Sequence, residues 1–182
     1  CPDDEVVVFP NHYTVHDLSD YDEANIMYSD GLIRYAKQNG FYEEVDGKFD
    51  FAKSFQAPGT YKSAGNTYRQ EHGMSMILGK EWDEDYYPFS VKPSIKISPE
   101  AVMEILSTHY EGTYDDPAYL RAEIPGGAPH DTTLRRICTG TTVESTVCQF
   151  VAKPLYTTLW TAFGRPCELP FIPLHPLAGV PK

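Results

Sequence analysis

The 182-residue chain contains no run of apolar residues long enough to cross a bilayer as a helix, which takes about 20. It also has no basic excess: 15 Lys and Arg stand against 26 Asp and Glu, a formal net charge of −11. Such a surface repels phosphate backbones, so neither nucleic acid nor membrane is expected as a partner. Cysteine is scarce, with Cys1, Cys138, Cys148 and Cys167 the four positions, and none is spaced as CxxC. The six histidines are scattered and HExxH does not occur. No metal ligand set and no cofactor are therefore expected, and the cysteines are read as reduced thiols. No charged-then-apolar leader is visible, and no internal repeat.

What the chain does have is a globular balance, 41% hydrophobic and 23% charged residues. Its length suits one domain, 1–182, with a sizeable core. Thirteen tyrosines offer apolar bodies with polar tips, which suits sheets and clefts alike.

Residues 5–9, EVVVF, read as a short strand ended by Pro10, with Asn11 directly after it. DGLIRYAKQNG reads as a helix with Leu32, Ile33 and Ala36 on one face and Gly40 as its stop. Residues 41–68 read as loops with a short helix near Phe49 to Phe55, and EWDEDYYPF as a solvated acidic loop. A second helix is expected from Ser98 as N-cap, with Pro99 in its first turn. Val102, Ile105, Leu106 and His109 share one of its faces, and Gly112 ends it. Residues 113–134 are a long surface connection. Alternation over TTVESTVCQ and the apolar LWTAF predict two strands, followed by an extended, proline-punctuated tail. Together these give an α+β fold.

Five segments in order, PDDEVVVFPNHYTV, YYPFSVKP, ISPEAVMEILSTHYEGT, RRICTGTTVESTVCQF and LWTAFGRP, resemble the bacterial dipeptidase A family of N-terminal-nucleophile cysteine hydrolases. These are relatives of choloylglycine hydrolases and penicillin V acylases. The resemblance runs from Pro2 to Pro173 and implies a four-layer αββα sandwich, with two facing antiparallel sheets. It also implies a chemistry in which a terminal cysteine thiolate attacks an amide carbonyl with its own α-amine as general base. A thioester forms, the amine leaves, and water hydrolyses the thioester. An α-amine titrating at roughly 8 and a thiol at roughly 8.5 can exchange a proton near neutrality.

Cys1 satisfies the formal need for a terminal cysteine, but its surroundings argue against that role. Pro2 cannot sit in a central strand, and the carboxylates of Asp3 and Asp4 would raise both the thiol and the amine. PDDEVVVFPN moreover resembles an interior segment of the family chain. The sequence is accordingly expected to be the C-terminal portion of a larger enzyme, an incomplete sandwich whose nucleophile lies before residue 1.

Asn11 is the foremost candidate site residue. The resemblance implies an oxyanion donor acting through its side-chain amide, and a turn asparagine bonding its own backbone is the alternative. In GTYKSAGNTYRQ, Arg69 corresponds to an arginine after a glycine-and-serine loop, holding the thiolate or a substrate carboxylate; a surface ion pair would explain it as well. Glu144 and Ser145 are candidate substrate contacts, one of which can face the cleft and receive a dipeptide's amine. The expected function is hydrolysis of dipeptides. An acylase acting on a non-peptide amide and an inactive binding module remain open alternatives. The expected partners are a dipeptide or small amide, the N-terminal segment of the same enzyme, and further copies of the chain in a homo-oligomer. An incomplete sandwich exposes edges and apolar faces.

Overall fold

The computed structural model describes residues 4–20, 26–60, 63–82, 88–117, 129–130 and 135–179. The chain divides into two compact units, 1–94 and 95–182. Both helices and strands are present, so the α+β expectation holds.

In the first unit, α1 spans Leu32–Asn39 and buries Ala36 completely. Gly40 ends it in the left-handed region at φ 77°, with its N–H returned to the carbonyls of Ala36 and Lys37, as the sequence predicts. The region expected to be loop instead holds a hairpin, β1 (Glu44–Val45) and β2 (Lys48–Phe49), paired antiparallel. Its turn is Asp46-Gly47, both at positive φ, 53° and 77°. That is the Asp-Gly chemistry a two-residue hairpin requires. Asp50 then caps α2 (Phe51–Phe55), accepting from Lys53 N–H at 2.7 Å. The next free N–H groups of this helix, on Phe51 and Ala52, are taken up by the carbonyls of His16 and Val15. Phe41, Phe49 and Phe51 all pack on Phe55, with ring centroids 5.2 to 6.5 Å apart. This aromatic knot is the local core.

A helix the sequence did not announce, α3 (Ala64–Leu78), completes the unit. Two internal glycines and a polar buried face hid it. Gly73 is there for packing: a Cβ on it would lie 3.2 Å from Val8 Cγ1. EVVVF, expected to be a strand, makes a single antiparallel bridge, Val6 to Val91. Those two residues exchange both backbone hydrogen bonds at 2.9 Å. The next such pair toward the N-terminus would need an N–H from Pro93, which has none, so the ladder stops.

In the second unit, α4 (Pro99–Ser107) begins as expected, with Ser98 Oγ accepting from Ala101 N–H at 3.3 Å. It ends earlier than the sequence suggests. Thr108 is extended, and its hydroxyl accepts from Tyr110 N–H at 2.9 Å while donating to Glu111 at 3.0 Å. These local bonds outcompete another helical turn, so His109 lies beyond the helix rather than on its face. α4 packs on β3 (Ser145–Gln149), which pairs antiparallel with β4 (Thr158–Ala162) in the register Ser145 to Ala162. β4 pairs in turn with β5 (Ile172–Leu174), a strand within what had read as an extended tail. The sheet order is β3-β4-β5. Pro173 lies in β5, an edge strand, the position a sheet allows to proline.

Candidate functional site

Asn11 follows the Val6 bridge in a bend, not a strand end, and is exposed. It stands at a cleft of about 530 Å³ lined in part by Phe9, Tyr13, Phe55, Gln56 and Thr60. Its backbone is fixed from below: Asn66 Nδ2 of α3 donates to the Asn11 carbonyl at 3.2 Å. One helical turn on, Gln70 is fully buried and its Oε1 accepts from His12 Nε2 at 2.5 Å. Asn66, Gln70 and Gly73 therefore form one face of α3 that receives Asn11, His12 and Val8 respectively. Among the described residues the Asn11 side-chain amide makes no hydrogen bond, to its own backbone or elsewhere.

Arg69 belongs to this helix and not to a loop, three residues after Asn66 on the same side. The glycine-and-serine stretch read as a loop before Arg69 is in part the first turn of α3, which begins at Ala64. His12 is 8% exposed, and burial pushes its ring pKa below the usual value, opposed by the bond to Gln70. Close by in sequence, His16 Nδ1 meets Asp50 Oδ2 at 2.9 Å, both side chains nearly buried. Asp50 thus caps α2 and orients an imidazole at once. Gln70 Nε2 and the hydroxyls of Thr14 and Thr67 are buried with no hydrogen bond among the described residues. Such groups are costly unless water or a ligand meets them. A larger hollow of about 890 Å³, lined by Asp17, Ser19, Met27, Tyr28 and Phe49 among others, offers less chemistry. The Asp17 carboxyl there is held at about 2, first by the Lys48 ammonium and then by the Ser19 hydroxyl.

The remaining sequence candidates fall elsewhere. Glu144 and Ser145 belong to the second unit and point to opposite faces of the sheet. Glu144 is exposed and accepts from the Thr146 hydroxyl at 2.9 Å, whereas Ser145 opens β3 on the side of buried Val147. Cys1 lies outside the described residues. Cys148 faces outward on β3.

Sequence reasoning missed a second constellation. His109, His130, Cys138 and Cys167 bring their ligand atoms within 4.8 Å of one another. The nitrogens His109 Nε2 and His130 Nε2 are 3.0 Å apart, and the sulfurs of Cys138 and Cys167 are 3.4 Å apart. Cys138 is 1% exposed, and its thiol is pushed up to about 12, by burial first and by the bond to Cys167 next. A thiol so protonated is a poor nucleophile. Beside the cluster, burial raises the Glu111 carboxyl. Bonds from its own N–H, the His109 N–H and ring, and the Thr108 hydroxyl outweigh this and hold it at about 2. The expectation of no metal ligands rested on local spacing, and these four residues come from four separate stretches. The stretches that carry His109, His130 and Cys138 are held together by Arg136, 1% exposed. Its guanidinium donates to the carbonyls of His109 at 2.9 Å, Asp115 at 3.0 Å and Pro129 at 3.4 Å.

Comparison with known proteins agrees with the ordered segments. The chain is 29% identical over 120 residues to a "Probable dipeptidase" of Salmonella dublin, covering 64% of this chain and 28% of that one. It is 26% identical over 178 residues to a "Probable dipeptidase" of Latilactobacillus sakei, covering 94% of this chain and 36% of that one. A "Probable dipeptidase B" of Streptococcus pyogenes serotype M1 is 23% identical over 180 residues, covering 94% and 36%. The chain therefore spans about a third of the length of these curated relatives. It matches the family model over residues 1–179, and it belongs to peptidase family C69.

Proposed function

We propose that this chain supplies the oxyanion-binding wall of a cysteine-dependent dipeptidase with the αββα sandwich of N-terminal-nucleophile hydrolases. The observation that carries the reading is Asn11. Its side-chain amide stands at a cleft with no hydrogen bond among the described residues, while α3 fixes its backbone through Asn66. A donor held ready in this way is what an acyl-transfer site needs, because it gains its partner only as the carbonyl oxygen becomes negative. In the complete enzyme, a cysteine thiolate attacks the dipeptide carbonyl carbon and forms a C–S bond. The oxyanion accepts a hydrogen bond from the Asn11 side-chain N–H. The C–N bond breaks as the α-ammonium returns its proton to the leaving amine. Water, deprotonated by the same α-amine, then opens the thioester and regenerates the thiol. Arg69, on the Asn66 side of α3, holds the thiolate or the substrate's terminal carboxylate. The names of the relatives support peptide hydrolysis, and α4 packed on β3 agrees with the outer layer of such a sandwich.

The test is Asn11→Asp and Asn11→Ala in the complete enzyme, assayed against a dipeptide panel and against bile-acid and penicillin amides. The expected result is a fall in kcat of about a hundredfold or more on dipeptides with KM little changed. Unchanged turnover with the fold intact by circular dichroism would refute the role, and preferential turnover of the non-peptide amides would make the enzyme an acylase.

A further inference from the structure

His109 lies just past α4, Cys138 between Arg136 and β3, and Cys167 in the turns after β4. His130 completes the set, with its Nε2 3.4 Å from Cys167 Sγ and 3.7 Å from Cys138 Sγ. A tetrahedral zinc with bonds of about 2.3 Å to sulfur and about 2.0 Å to nitrogen fixes the edges between its ligands. These come to roughly 3.8 Å for S–S, 3.3 Å for N–N and 3.5 Å for N–S. Four of the six edges, at 3.4, 3.0, 3.4 and 3.7 Å, fall close to those values, and the two from His109 Nε2 to the sulfurs are within 4.8 Å.

The outward-facing nitrogens point the same way. His109 Nδ1 is 2.8 Å from Glu111 Oε1, and His130 Nδ1 is 3.8 Å from Glu168 Oε1. Glu111 accepts from His109 Nδ1–H, which leaves the His109 Nε2 lone pair facing the cluster, 3.0 Å from His130 Nε2. A cation there would take both Nε2 atoms, with Glu111 and His109 in the carboxylate–histidine–metal arrangement common around zinc. Glu111 is itself fixed by the His109 N–H at 2.9 Å and the Thr108 hydroxyl at 3.0 Å, so it can hold the ring in place. A disulfide between Cys138 and Cys167 is the rival arrangement. It would use the sulfurs and leave the two imidazoles facing each other.

We propose that His109, His130, Cys138 and Cys167 bind one zinc-class divalent ion in a closed tetrahedral site that cross-links the second unit. Imidazole and thiolate select zinc among common divalent ions, and hard-oxygen ions such as magnesium or calcium do not fit the donor set. All four positions are protein ligands, which gives the ion a structural rather than a catalytic role. The proposal does not depend on the reading of Asn11.

The test uses the full chain, purified and kept reduced, with its metal content measured by mass spectrometry after gel filtration and its cobalt(II)-substituted form measured by absorption. The expected result is one zinc per chain, and a cobalt form with the intense visible bands of a tetrahedral ion plus thiolate-to-metal charge transfer. Cys167→Ser, at an exposed position, abolishes the charge-transfer band of one thiolate. Glu111→Gln weakens zinc by about tenfold to a hundredfold. Cys148→Ser changes neither. Trace zinc only, the weak spectrum of octahedral cobalt, or a Cys138–Cys167 disulfide in thiol-trapped cells each overturns the proposal. Because the cobalt spectrum is read on the unmodified chain, the result stands even where a variant fails to fold.

Discussion

His12 is buried against Gln70, and burial lowers its affinity for a proton. The unfolded chain binds that proton at the ordinary value of 6.5, the folded chain only at lower pH. Protonation thus favours unfolding in the window that starts at about 6.5 and extends downward to the depressed folded value. The stability His12 contributes is complete above that window and is lost as pH falls through it. Urea midpoints measured between pH 7.5 and 5.5 are expected to drop for the native chain, with a shallower drop for His12→Gln; equal slopes would contradict this. Arg136 is the other residue whose replacement has a clear expected cost. Arg136→Met leaves the carbonyls of His109, Asp115 and Pro129 without their charged donor. About 3 kcal/mol or more is expected to be lost, read as a fall in the denaturant midpoint. At this scale neither role is legible in the local sequence. Asn11 and Arg69 stand out as candidates only because they sit in family-like segments. Gln70, Arg136 and the His–Cys set do not, since each acts through a partner remote along the chain.

Elements were legible where local chemistry decides them. The stop of α1 at Gly40, the Ser98 cap with Pro99, and the pairing of β3 with β4 all follow from signals a few residues long. Ser98→Ala is expected to cost about 1 kcal/mol in thermal or denaturant unfolding, the ordinary worth of an N-cap. Elements failed where distant residues decide them. α3 carries Gly65 and Gly73 and buries Asn66, Gln70 and His72, so no apolar stripe marks it. Gly73 makes sense only once Val8 is packed against it. EVVVF has every local mark of a strand, yet a ladder needs a partner, and among the described residues the bridge to Val91 is the one it makes. The Asp46-Gly47 hairpin was readable and was overlooked, because its strands are only two residues long.

At the scale of the whole molecule, membership of family C69 and the ordered resemblance agree over nearly the full chain. Several large apolar side chains remain exposed, Val143 at 83%, Phe150 at 81% and Phe163 at 61% among them. Patches of this kind favour association. Light scattering after gel filtration is expected to give a mass above the 20.5 kDa of one chain, and a monodisperse monomer at tens of micromolar would count against it. The three-stranded sheet also bears on where a further strand can be added. Pro173 in β5 has no N–H to offer an arriving strand, so that border is a poor template at its centre. The opposite border, β3, has Ser145 to Gln149 without a proline and begins one residue after Glu144. The sheet therefore has a direction of growth. Among the described residues, a further strand is expected to join beside β3 rather than along the proline border.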